Sequence, residues 1–419
     1  FRSYAQTITQ VRLATFDRSG QLVPNAKDGE TVSYNGKDYT YQGLSNVSIE
    51  QNESNNTTTY DIKIRDDVKF SDGEPLTADD IIFNLYVYSD PSYDGSATLS
   101  SQNIIGMKNY RVNSSIAESL SDEEVAKVIK EMPEELGKRI KSEIVEPTLK
   151  SEMEAVAALY GDDAYKEYTD KYKEKKDLFA FFYKKDDKYD STKVKDENQV
   201  LNDIIEMYGT DYKALANAYQ SDETYFDAQV AEIAESYLAD TKKKSGEGKD
   251  VPNIEGIKKI SDTEVQIITN GFDATMVYQL DMEVLPMHYY GDKALYDYDN
   301  NKFGFTRGDI SKIKEKTTKP LGAGPYKFVK FENKVIYYEA NENYYLGAPK
   351  IKNVQYKEVN EADKATGLVQ GTIDLSEPSA SKTTFEQFKK ENSNGELSGD
   401  KLVVDAVDNL GYGYIGVNA

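Results

Sequence analysis

Residues 113–250 constrain the fold more than any other stretch, because the chain on either side is patterned as strands and this part is patterned as helices. Before it, TTTYDIKIRDDVKF at 57–70 alternates, with Tyr60, Ile62 and Ile64 on one face and Asp61, Lys63 and Arg65 on the other. That is the signature of a half-buried strand. After it, GIKKISDTEVQIIT at 256–269 alternates again about Asp262 and Thr263, which predicts a hairpin. In between, Ser121 and Glu124 have capping-box spacing, and Val125, Val128, Ile129 and Met132 follow at helical intervals. Further helical patterns cover 149–159, 164–182, 200–208 and 225–238, and KKKSGEGK at 242–249 reads as a flexible exit. The expectation is an α/β body interrupted by a helical insertion with its own small core.

The stretch KFSDGEPLTADDIIFNL at 69–85 crowds three aspartates and a glutamate around a turn, and so raises the question of a catalytic or metal site. Asp72-Gly73 marks the turn. Thr77 and Asp80 have the spacing of a capping box, and Ile81, Ile82, Leu85 and Tyr86 then recur as on a helix. Carboxylates are favoured at a helix N-terminus, and these have no histidine or further acidic partner nearby in sequence. The stretch therefore reads as a strand-to-helix junction. Downstream, residues 324–341 predict a second hairpin, 362–370 a short helix, and the segment through Ile373 and Leu375 a buried strand.

Composition narrows the function. A length of 419 residues allows roughly three domain-sized units. The formal charge of −22, with no extended basic stripe, argues against nucleic acid as a partner. Without cysteine there are no disulfides, thiolate metal sites or cysteine nucleophile, and the one histidine, His288, rules out histidine clusters. His288 reads as structural within LPMHYYG. Asp297, Asp299 and Asn301 resemble the start of a calcium loop but lack its sixth-place glycine and twelfth-place acid. No catalytic residue, metal ligand or cofactor is assigned. The longest apolar runs fall far short of a membrane span. Tyrosine is heavily used, 33 residues against 15 Phe and no Trp. Flat faces with a hydroxyl tip suit wet contact surfaces, and they suit half-buried packing equally.

Seven segments, taken in order, carry a resemblance. YDIKIRDDVKFSDGEPLTADDIIFNL, GIKKISDTEVQI, LPMHYYG, GAGPYKF, NENYYLGAPKIKNVQYKEV, LVQGTIDL and GYGYIGVNA are similar to landmarks of the family 5 extracellular solute-binding proteins of ABC importers, the oligopeptide- and dipeptide-binding group. The resemblance implies a periplasmic-binding-protein-like (type II) α/β lobe with mixed sheets and a largely α-helical insertion. On this reading residues 1–112 and 251–321 form a first-lobe subdomain, 113–250 the insertion, and 322–419 an α/β segment leading to the inter-lobe hinge. The insertion exceeds the family's usual connection, and the chain resembles one lobe of a longer protein, its second lobe absent here.

What the family does implies the rest: a monomeric, non-enzymatic receptor that binds a peptide ligand between two lobes and delivers it to the membrane permease of an ABC importer. It would act outside the cytoplasmic membrane, either periplasmic or lipid-anchored to the surface through a cysteine upstream of Phe1. The residues placed nearest the cleft are Tyr93, in SDPSYDGS, and Tyr412, Tyr414 and Asn418. Asn418 would offer a side-chain amide to a ligand carbonyl, and the tyrosines their faces and hydroxyls. Tyr412 and Tyr414 also alternate as core-strand residues do. Two alternatives stay open: an oligosaccharide receptor, since tyrosine faces stack on sugar rings, and a surface interaction protein acting through the insertion. A glycosidase is disfavoured, because no pair of acids has surroundings that would raise one of them.

Overall fold

Tyr60, Ile62 and Ile64 alternate inward on a strand that is central to its sheet, and the sheet is completed by a strand some two hundred residues further along the chain. The computed structural model describes residues 6, 8–159, 166–183, 190–218 and 223–405. These divide into two units: the described residues of Phe1–Met107 with Glu255–Ala419, and those of Lys108–Ile254.

In the first unit, β1 (Glu30–Tyr34) and β2 (Lys37–Tyr41) form a hairpin. A four-stranded antiparallel sheet follows, in the order β3 (Ser45–Asn52), β4 (Thr57–Ile64), β6 (Glu264–Asn270), β5 (Ile257–Ser261). The register sets Val47 opposite Ile62, Ile62 opposite Val265 and Tyr60 opposite Ile267, all buried. On the other face Lys63 reaches Asp61 at 3.6 Å and Glu264 at 3.8 Å. The Ala78–Ser89 helix packs on β5 and β6, and its Ala78 amide donates to the Asp262 carbonyl in the hairpin turn (2.8 Å). After the short pair β7 (Tyr296–Asp297) and β8 (Lys302–Phe303), β9 (Tyr326–Glu332), β10 (Val335–Ala340) and β11 (Asn353–Lys357) make a three-stranded sheet with β10 central. One extended segment stitches the unit together. The carbonyls of Ile8 and Thr9 accept from Tyr326 and Gly324, while Val11, Leu13 and Ala14 pair with Val284, Met282 and Leu280.

The acids of residues 69–85 all have partners within the fold. Thr77 and Asp80 form the capping box. Asp72 meets His288 Nε2 at 2.8 Å, and His288 lies edge-on to Phe70. Glu74 pairs with Lys293 at 3.1 Å, and Asp79 with Lys259 at 2.7 Å and with the Tyr296 hydroxyl at 2.5 Å. Asp80 is nearly inaccessible and accepts from the Thr77 and Met287 amides at 2.9 and 2.8 Å.

Burial pushes the Asp80 carboxyl up to about 6, against the opposing pull of those two amides. An unfolded aspartate releases its proton near about pH 4. Between these values the native state holds the extra proton, so this group's contribution to stability declines as pH rises from about 4 to about 6 and stays low above that. Asp80→Asn should remove this declining contribution. Denaturation of both proteins at pH 4, 5, 6 and 7 checks it: an identical dependence on pH would show that Asp80 does not titrate there.

The second unit's described residues form helices and no strand. One cluster gathers Val145, Leu149, Phe179, Val200, Ile204 and Tyr208, and another gathers Val125, Leu136, Ile140, Phe226, Val230 and Ala234. Two details differ from the pattern-based expectation. Residues 164–182 are not one helix: Lys166–Lys171 and Lys175–Tyr183 are separate. The run at 242–249 begins inside the Glu223–Lys244 helix, because Lys242 reaches Glu124 at 2.8 Å and Lys243 reaches Asp250 at 2.6 Å and the Asn113 carbonyl at 3.2 Å. Lysines also suit the negative end of a helix. The Lys242 contact, with Ser121 behind it, holds the Glu124 carboxyl down at about 2.

The segment through Ile373 and Leu375 corrects the expectation of a buried strand. It pairs with no described strand, and Leu375 is 86% exposed. Ile373 instead folds back on the preceding helix, Glu361–Gln370, which ends at Gly371 in the left-handed region (φ +68°). The Thr372 and Ile373 amides donate to the Gly367 carbonyl, and Ile373 packs so close to Gly367 that a Cβ there would lie 2.5 Å from it. The local force is a helix C-cap, with its usual apolar fold-back contact.

Candidate functional site

Arg12 and Glu283 stand opposite each other where the N-terminal segment pairs with residues 280–284. Directly opposed antiparallel residues share a face, as do positions two apart, so Arg12, Asp281 and Glu283 lie together. Arg12 Nη1 meets Asp281 Oδ2 at 2.9 Å and donates to the Asp281 carbonyl at 2.8 Å. Two cavities of the first unit adjoin this pair. One, of about 340 Å³, has Phe16, Gln42, Tyr344 and Tyr345 among its lining. The other, of about 380 Å³, is walled by Tyr88, Tyr93, Thr98, Tyr278, Gln279 and Glu283 together with Arg12 and Asp281. Volumes of this size lie at the lower end of the range for small-ligand sites.

The second cavity is built by the end of the Ala78–Ser89 helix and the loop after it. Asp90 holds that loop: Oδ1 accepts from the Ser92 amide at 2.9 Å and Oδ2 from the Gly308 amide at 2.9 Å, while the Asp90 carbonyl accepts from Tyr93. The Tyr93 ring then lies edge-on to Tyr88, centroids 5.3 Å apart, and its hydroxyl accepts from the Ala97 amide at 3.4 Å. Gly95 makes this possible, since a Cβ there would come within 2.3 Å of that hydroxyl. Across the cavity Gln279 donates to Thr98 Oγ1 at 3.0 Å, and Tyr278 stacks on Phe16 at 5.7 Å. Burial raises the hydroxyls of Tyr88 and Tyr93 above the usual phenol range and the Glu283 carboxyl above the usual carboxylate range. Arg12 draws Glu283 back down and Asp281 adds to the rise.

Tyr93 thus lines a cavity, whereas Tyr412, Tyr414 and Asn418 lie outside the described residues. Sequence reading missed Tyr88, Arg12, Asp281 and Glu283. Tyr88 belongs to a helix whose apolar pattern explains it as packing, and Arg12 and Glu283 are joined by a pairing that no local pattern announces. Among the described residues no three His, Asp or Glu come together to hold a metal ion, and Asp297 caps a short turn by accepting from the Asn300 amide. Among the described residues no helix is long and apolar enough to cross a membrane. The arrangement offers charged groups, hydroxyls and aromatic faces for contact.

Over 138 residues, 32% of this chain and 21% of the relative, the sequence is 30% identical to the oligopeptide-binding protein AppA of Bacillus subtilis (strain 168). Among solved structures it is similar to Bacillus subtilis AppA in complex with a nonapeptide, at 15% identity and a TM-score of 0.39, covering 88% of this chain and 38% of that one. It is also similar to lactococcal OppA complexed with an endogenous peptide in the closed conformation, at 14% identity and a TM-score of 0.40, covering 89% and 40%. The chain therefore spans less than half the length of these relatives. The model of the bacterial extracellular solute-binding proteins, family 5 (middle region), matches residues 45–180 and 216–419. On that match the chain belongs to the family 5 bacterial extracellular solute-binding proteins.

Proposed function

We propose that the protein is the substrate-binding component of an ABC importer and that its ligands are peptides, bound in a cleft to which this chain contributes one lobe. The observation that carries the reading is the stretch of 138 residues 30% identical to an oligopeptide-binding protein, within a family match that spans most of the chain. Physical support comes from the second cavity, whose tyrosines and polar groups suit contacts to a peptide main chain. The receptor works as a monomer on the outer side of the cytoplasmic membrane, free or lipid-anchored, and hands its cargo to the permease without altering it.

Calorimetry of the full-length protein against a peptide pool and a glycan pool tests this. Peptides should bind and glycans should not; binding of glycans alone would replace the proposal with an oligosaccharide receptor. Within a peptide receptor, Tyr93→Ala should weaken binding about tenfold through loss of a rigid aromatic contact, with Tyr93→Phe close to wild type. Equal affinities for all three proteins would remove Tyr93 from the site.

A further inference from the structure

The cavity walled by Tyr88, Tyr93 and Glu283 carries one carboxylate too many. Of its three charged groups, Arg12 and Asp281 satisfy each other. Glu283, largely buried, has no hydrogen-bond or ion-pair partner among the described residues. The remaining wall is uncharged: Tyr88, Tyr93, Ser96, Ala97, Thr98, Tyr278, Gln279 and Met282. Arg12 sits opposite Glu283 across the strand pairing and would be its natural partner, yet its guanidinium is turned onto Asp281.

We propose that this cavity is a pocket for one basic side chain of a bound peptide, with Glu283 as counter-ion to its ammonium or guanidinium head and Tyr88 and Tyr93 in its walls. Glu283 lacks a hydrogen-bonded counter-charge among the described residues, and an incoming cation would pair with it and restore the local charge balance. Tyr88 and Tyr93 in the lining add a second attraction wherever a cation meets a ring's negative face. The cavity's volume of about 380 Å³ leaves room for a long basic side chain as well as its charged head. The existing Arg12–Asp281 pair keeps Arg12 from competing for Glu283. Burial raises the Glu283 carboxyl against the opposing pull of Arg12, so a further cation brought to it would favour its charged form.

This deepens the reading of the protein as a peptide receptor and rests on it. The test is calorimetry at low ionic strength on the full-length protein with peptides of one sequence differing at a single position by Lys, Arg, norleucine or Glu. Wild type should favour Lys or Arg over norleucine by roughly tenfold or more at one register of that position, and disfavour Glu. In Glu283→Gln the preference for Lys or Arg over norleucine should vanish, and the melting temperature should be no lower than wild type. Equal wild-type affinity for the Lys, Arg and norleucine peptides at every register overturns the pocket and leaves the receptor reading standing. A preference that survives in Glu283→Gln overturns the assignment of Glu283. Binding of no peptide at all overturns both readings together.

Discussion

Replacing Asn84 with leucine is expected to lower the stability of the first unit by about 3–5 kcal/mol, the largest effect of a single side chain anticipated here. Asn84 is completely buried in the Ala78–Ser89 helix. Its Nδ2 donates to the Leu285 carbonyl at 2.7 Å and to the Asp80 carbonyl at 2.7 Å, and its Oδ1 accepts from the Leu285 amide at 3.1 Å. One amide side chain therefore satisfies both main-chain groups of a residue that belongs to no strand. Leucine has nearly the same bulk, so packing alone predicts little change, but it would strand a donor and an acceptor away from water, each at about 1–3 kcal/mol. Urea denaturation followed by a probe in this unit measures the loss, and faster exchange of the Leu285 amide locates it. A loss below about 1 kcal/mol would mean that water reaches the site and takes over the bonds.

Gly256→Ala is expected to cost about 2–4 kcal/mol by a different route, steric rather than polar. Gly256 lies where three stretches of main chain meet. Its amide donates to the Ile105 carbonyl at 2.7 Å, its carbonyl accepts from Ile268 at 2.8 Å, and Ile105 donates to Ile268 at 3.0 Å. A Cβ would stand 2.5 Å from the Ile268 carbonyl oxygen and 2.9 Å from the Ile105 nitrogen. Neither atom belongs to a side chain that might swing aside, so the three-way crossing must open. Thermal melting together with hydrogen exchange at Ile105 and Ile268 reads this directly. Protection at both amides equal to wild type would show that the chain accommodates the methyl by a shift elsewhere.

Local pattern carried the reading wherever one force dominated. The alternation at 57–64, the turn at 262–263, and the capping boxes at Thr77 and Ser121 all stand in the structure, because strand faces and helix starts are satisfied by near neighbours. The reading failed at Leu375, where apolar residues suggested a strand but the helix C-cap before it set the backbone. It failed again at Lys242, where a lysine run looked mobile until Glu124 tied it down. Tyrosine shows why composition is a poor guide to sites. Tyr60, Tyr86, Tyr110, Tyr290 and Tyr338 are core residues, Tyr86 stacked on Phe303 with centroids 3.4 Å apart, while Tyr93 lines a cavity. Nothing in one-dimensional sequence separates a ring that packs from a ring that faces a void.

The sequence by itself determined the family and the periplasmic-binding-protein-like α/β fold, the strand-to-helix junction at 69–85 and the helical character of the insertion. The family and fold follow from the resemblance of ordered segments to a known family, whereas the junction and the helices rest on hydrophobic periodicity, which is a local property. Only the tertiary structure decided that Arg12 pairs with Asp281 and that Glu283, beside Tyr88 and Tyr93, has no hydrogen-bond or ion-pair partner among the described residues. That outcome depends on pairing between segments more than 260 residues apart, and on which of two carboxylates a single guanidinium reaches. Such a choice is made by geometry among side chains, and it leaves no periodic trace along the chain.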